Sequence, residues 1–121
     1  MPGQQKLIAS VNGITATTTV DVAYPAGARR AATFLVNVTQ VNGGNWTCSA
    51  LANLDMSQNT RNFVVATVTG LTGTGLSALA LQGEFTASSS SSVPEVQQVL
   101  FTEVGTELTG LIADVYAIYA D

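Results

Sequence analysis

Apolar and polar residues alternate with a period of two along most of this chain, and the alternation is densest from Asn62 to Phe85. There Phe63, Val65, Thr67 and Thr69 fall on one side of an extended segment, with Val64, Ala66 and Val68 on the other. A second run sets Leu76, Ala78 and Ala80 against Ser77, Leu79 and Leu81. Neither run has a clear water face, so at least one face of each must be covered by protein. Gly70, Gly73 and Gly75 lie between them and supply turn conformations, which predicts an inner β-hairpin.

The same period appears on either side. Lys6 to Val11 is a short apolar run ending at Asn12-Gly13, and Ile14 to Tyr24 is a long alternating one. Asn-Gly between two such runs predicts a hairpin. In the second run Thr15, Thr17, Thr19 and Asp21 form a face for water or a partner. Pro25 to Arg30 reads as a loop. Ala31 to Val41 is a third strand with Phe34, Val36 and Val38 on one side, and it leads into the turn Asn42-Gly43-Gly44-Asn45. Trp46 to Leu54 is a fourth strand, followed by a polar loop over Asp55 to Arg61. The serine run from Ser88 to Ser92 reads as a surface loop. Pro94 to Leu100 fits either a short helix, with Pro94 at its first position, or a short strand. Leu108 to Ala120 closes the chain as a strand whose Leu111, Ala113, Val115, Ala117 and Tyr119 share a face. Tyr116 and Ile118 make its other face apolar as well, so this strand should be covered on both sides. These elements predict an all-β fold, an antiparallel β-sandwich or jelly roll of seven to eight strands, with one short helix over 94–100 as the competing reading of that segment. The 121 residues make a single domain, with residues 1–6 as a short N-terminal arm.

Composition sharpens this picture. Charged residues are only 10% of the chain and apolar residues 46%, with a mean hydropathy of +0.31. An average soluble domain carries about 25% charged residues. Thr, Ser, Gly, Asn and Gln supply the polarity instead, and a hydroxyl costs less to bury against another protein than a carboxylate does. An interface-rich subunit is expected. The net charge is −4 and unevenly placed. Lys6, Arg29, Arg30 and Arg61 are the four cations, and with Asp21 and Asp55 they make the chain up to Arg61 net +2. Beyond it six acids and no cation give −6. That polarity could steer packing of identical copies, or it is solvated loop charge. It does not describe a nucleic-acid groove. The single cysteine, Cys48, rules out an intrachain disulfide framework. No apolar run is long enough for a membrane-spanning helix, and MPGQQKLIAS has no signal-peptide pattern, so synthesis in a cytoplasm is expected.

Few residues offer chemistry. The chain has no histidine, hence no imidazole base and no His metal site. Cys48, between Trp46 and Ala50, reads as a buried inert thiol. Glu103 and Glu107 flank Gly105, and Asp55 sits among amides, but no calcium-loop spacing appears. The glycines from Gly70 to Gly75 match neither nucleotide fingerprint and read as a turn. The sequons at Asn37 and Asn45 read as chance matches. Trp46 with Tyr24, Tyr116 and Tyr119 could stack a sugar, against the plainer reading of Trp46 as a core plug. Arg29 and Arg30 are candidate interface anchors, against the plainer reading of a solvated loop. Enzymatic function, a bound cofactor and a metal are therefore not expected.

The segments ATFLVNVTQVNGGNWTCSALANLD, NFVVATVTGLTG and LTGLIADVYAIYAD, in this order, resemble the small β-sandwich virion proteins of tailed bacteriophages, the capsid decoration and head or tail accessory proteins. The resemblance covers most of Ala31 to Asp121 and rests on the run of strands, with no site motif to carry over. It implies a non-enzymatic structural protein of the virion, assembled in the host bacterial cytoplasm. Such a protein binds in many copies to the major capsid or tail protein and to copies of itself. On that reading Pro2, Gln4 and Lys6 form a docking segment, and Arg29, Arg30 and Arg61 make charged contacts. The alternative is a carbohydrate-binding module that adsorbs to a host glycan through Trp46 or the tyrosines.

Overall fold

A computed structural model of the protein describes residues 4–22, 31–56, 59–81 and 98–119. They form eight strands: β1 (Gln4–Ile14), β2 (Thr18–Asp21), β3 (Ala31–Gln40), β4 (Trp46–Met56), β5 (Asn59–Leu71), β6 (Gly75–Leu81), β7 (Gln98–Glu103) and β8 (Leu111–Tyr119). Their order in the sheet is β1-β8-β3-β6-β5-β4-β7-β2, and every described pairing is antiparallel. Strand 1 thus pairs with 8, 2 with 7, 3 with 6 and 4 with 5. The chain behaves as one long antiparallel double strand rolled around a core, which is the jelly-roll arrangement. The β6 strand makes the corner, since Gly75 to Leu79 pair with β3 while Ala80 and Leu81 pair with β5. The sheet is nearly closed, with β1 and β2 at its two ends.

Closure needs strong twist, and bulges supply it. In β1 the register slips at Ile8 and again at Gly13, in β3 at Ala32 and Thr39, and in β5 at Val65 and at Thr69-Gly70. Each slip adds one unpaired residue and bends its strand around the core. The core lies between the two halves of the roll and is filled by Trp46, Phe34, Phe101, Ile8, Leu111 and the valines at 36, 38, 65, 99 and 115, all essentially inaccessible. Burial of side chains this large is worth about 1.5 to 3 kcal/mol each.

Several sequence expectations hold, and several are corrected. Phe34, Val36 and Val38 share the inner face of β3, as do Leu111, Ala113, Val115 and Ala117 on β8. The β5–β6 hairpin forms. Its alternation is broken, however, because the bulge at Val65 puts both Val65 and Ala66 in the core. Asn12-Gly13 is no hairpin. Gly13, with φ of 84°, is a bulge inside β1, and the chain turns only at Thr15 to Thr17, where the Thr17 hydroxyl accepts the Glu103 N–H at 3.1 Å. Gln98 to Leu100 belong to β7, paired with β4 and β2, so no helix covers them, and 94–97 lie outside the described residues. Apolar residues at 99 and 101 face the core with the period of a strand. The polar segment 55–61 is not a loop throughout, since Asp55, Met56 and Asn59 to Arg61 extend the β4–β5 ladder. The last strand begins at Leu111, because residues 104–110 form a loop with its own task. Gln4 to Lys6 pair with Tyr119 to Ala117 and so are strand, not arm.

Gly110 shows how tightly the ends of the strands meet. Its φ is 126°, and a Cβ there would stand 2.8 Å from the Cα of Gly13. Gly73 has open space around its Cα. Gly110→Ala is therefore expected to destabilise the fold by about 2 to 4 kcal/mol, and Gly73→Ala to stay within about 0.5 kcal/mol, in chemical denaturation.

Candidate functional site

Two loops meet at one end of the roll. The β3–β4 turn over 41–45 and the β7–β8 loop over 104–110 are joined by backbone bonds from Val104 N to Asn45 O and from Leu108 N to Asn42 O, both 2.8 Å. Between them lies Glu107, only 6% exposed and the one buried acid among the described residues. Its Oε1 accepts the Trp46 indole N–H at 2.9 Å. Its Oε2 accepts backbone N–H groups from Asn42 at 2.8 Å, Gly110 at 3.1 Å and Thr109 at 3.4 Å. The Glu107 N–H is itself bound by the Glu103 carboxylate, and the Asn42 amide donates to the Thr109 hydroxyl at 2.9 Å. Gly44 lies directly beneath the Trp46–Glu107 bond, where a side chain has no room.

Burial pushes the Glu107 carboxyl upward, but the Trp46 indole and the Gly110, Asn42 and Thr109 amides together outweigh it and hold the carboxyl below its ordinary value of 4.5. Glu107 is thus an anionic clasp whose lone pairs are occupied by the protein itself. It has no free oxygen aimed at a ligand. Among the described residues, no three acids or thiols gather to hold a metal ion. Sequence reading noticed Glu103 and Glu107 as a pair but not this role. The available signal was a glutamate in the glycine-flanked loop EVGTELTG, opposite a second glycine turn.

Trp46 is fully buried and offers no face for a sugar. Cys48 is buried too, and desolvation pushes its thiol up to about 12, as expected of an inert thiol. Of the expected contact residues, Pro2, Arg29 and Arg30 lie outside the described residues. Gln4 opens β1, and Arg61 lies in β5 opposite Leu54. Lys6 is exposed on β1 at a register position whose partner, Ala117, is in the core. A charge so placed on an end strand discourages pairing with stray strands. Of the three described positions, Gln4 and Lys6 share β1, and Arg61 on β5 stands four strands away in the sheet order.

The two outer faces of the roll differ. On the side of β2, β7, β4 and β5, Thr19, Leu100, Ser49 and Thr67 lie in one row, with Ser49 and Thr67 hydrogen-bonded at 3.1 Å and Asp21 accepting from Gln98 at 3.1 Å. The row of Asp21 and Gln98 continues through Leu51 to the exposed Val64, so polar and apolar groups share this side. On the side of β1, β8, β3 and β6, the matching row is Leu7, Tyr116, Leu35 and Ala78, followed by Ile118 beside Thr33. Leu7 is 53% exposed and Leu76, farther along, 63%. Asp114 is the one charge among the described outward positions of these four strands. The apolar outer face expected for β8 is present, and its Tyr116 and Ile118 are half-buried, without a further layer of this chain among the described residues. At the clasped end, Val104 and Leu108 are also exposed.

Comparison of the chain with protein-family models, with curated proteins and with solved structures gave no match.

Glu107→Gln leaves the N–H donors of Trp46, Asn42 and Gly110 competing for one carbonyl oxygen, and is expected to destabilise the fold by about 2 to 4 kcal/mol. Because the folded-state value is lowered, the Glu107 contribution is complete above the ordinary glutamate range and is lost as the pH falls through the folded value. Denaturation midpoints measured from about pH 6 down to about pH 3 should therefore show the gap between wild type and Glu107→Gln narrowing as acid is added.

Proposed function

We propose that this chain is a non-enzymatic structural protein of a bacteriophage virion, bound in many copies to a capsid or tail and reinforcing the particle. The supporting observation is an apolar row of Leu7, Tyr116, Leu35 and Ala78 that crosses four strands on one outer face, with Ile118 and the exposed Leu76 near it and Asp114 as the single described charge on that face. A face of that kind packs against protein without desolvating ions. Jelly rolls serve as viral capsid domains and also as lectin domains, so the fold alone does not choose between assembly and sugar binding. The burial of Trp46 removes the best stacking platform and favours assembly. Reinforcement works by mass action: a subunit that binds only the assembled lattice shifts the equilibrium toward it.

Titration against isolated bacteriophage heads and tails, read by co-sedimentation, tests this directly. Saturable binding of many copies per particle, with a raised particle melting temperature, is the expected result. A chain that stays in the supernatant at every concentration and binds on a glycan array would overturn it.

A further inference from the structure

We infer that Asn12-Gly13 is a site of self-modification, where the chain deamidates through its own backbone, and that the Glu107 clasp keeps Asn42-Gly43 from doing the same. These are the two Asn-Gly pairs of the chain. In each, the backbone nitrogen of the glycine is the nucleophile. It attacks the asparagine Cγ, loses its proton and expels the side-chain nitrogen as ammonia, which closes a succinimide ring. Water then opens the ring at either carbonyl and leaves aspartate or, where the main chain now runs through the side chain, isoaspartate. Glycine favours the attack because no side chain shields its nitrogen. The chemistry is independent of any virion role.

The two sites are held differently. Asn12 and Gly13 are both exposed. Asn12 pairs with Ile112 and Ile14 with Leu111, which leaves Gly13, the bulged residue, without a register partner on β8. A Cβ on Gly13 would meet nothing within 4 Å, so the chain is uncrowded on that side. The strand is an end strand, and among the described residues the Asn12 side chain has no hydrogen-bond partner. Asn42 is tied at three points instead. Its N–H donates to the Glu107 carboxylate at 2.8 Å, its carbonyl accepts the Leu108 N–H at 2.8 Å, and its side-chain amide donates to the Thr109 hydroxyl at 2.9 Å. Ring closure there must turn the side-chain carbon away from Thr109 and toward the Gly43 nitrogen, which these bonds oppose.

The product alters the sheet. Asn12 shares an outer face with Ser10 and Asp114 and stands diagonal to Asp114 in the β1–β8 register. Diagonal positions are about 7 to 8 Å apart, so a carboxylate at position 12 sets a like charge beside Asp114. Isoaspartate also lengthens the backbone of β1 by a carbon atom next to its bulge. Both changes loosen the hold of β8 on β1.

Folded protein aged in mildly alkaline, heavy-oxygen water and then cut with trypsin tests this by mass spectrometry. Cleavage after Lys6, Arg29, Arg30 and Arg61 puts Asn12 on the peptide Leu7–Arg29, where it is the sole asparagine, and Asn42 on Ala31–Arg61. Label and isoaspartate should appear at Asn12 at least about tenfold faster than at Asn42. In guanidinium chloride the two should react at similar rates. Thr109→Ala, at an exposed position, frees the Asn42 amide and should speed its reaction in the folded protein; no acceleration would remove the clasp from this account. An Asn12 that stays intact in the folded protein while reacting in denaturant, or an Asn42 that reacts as fast as Asn12 in the folded protein, would overturn it.

Discussion

The hydrogen bond between the Trp46 indole and the Glu107 carboxylate holds together the end of the roll on which the rest of the structure depends. A jelly roll brings its first and last strands together only after the whole chain has been wound, and β8 fills the space between β1 and β3. The loop that delivers β8 must therefore arrive at a fixed height and angle. Glu107 fixes it by gathering N–H groups from β4, from the β3–β4 turn and from its own loop onto one carboxylate. The anion costs desolvation energy, and four donors offset it. Removal of the carboxylate leaves its donors with too few acceptors, and removal of a donor leaves the buried anion less compensated. The small residues around it follow from this, since Gly44 and Gly110 stand where a Cβ would strike the clasp or the neighbouring strand.

With its end fixed, the roll can present two faces of different chemistry. Bulges wind the sheet until its inner face is a single core of Trp46, Phe34, Phe101 and valines. What remains outside is decided by register. Ser49, Thr67, Gln98 and Asp21 give one side its polar groups, and Leu7, Leu35, Tyr116 and Ile118 give the other an apolar cluster. A charge-poor chain has little else with which to direct contact, and on the proposed assembly role the sheet face takes that part.

Much of the fold was legible in the sequence because β-strands write their burial at period two. Phe34, Val36 and Val38 on β3, and Leu111 to Ala117 on β8, were read correctly for this reason. The apolar outer side of β8 was legible for the same reason. Bulges were not, since an extra residue leaves no mark on composition. Asn12-Gly13 looked like a hairpin because the same positive φ serves a turn and a bulge, and only the partner strand tells them apart. Val65 and Ala66 were assigned to opposite faces for want of the slip between them. The Glu107 clasp was out of reach for a different reason: its partners Trp46 and Asn42 lie 61 and 65 residues away in the chain, and neither glycine turn announces the other. Charged residues at 29 and 30 drew attention as contacts because cations are scarce, whereas the face with most to offer a partner has almost none.

The central claim, that the apolar sheet face and not the hydroxyl face is the contact surface, is tested most directly by amide and methyl NMR, with saturation transferred from added bacteriophage heads or tails. Transfer confined to Leu7, Leu35, Tyr116 and Ile118 and their row neighbours is the predicted result. Transfer centred instead on Thr19, Ser49, Thr67 and Leu100, or none at all, would contradict it.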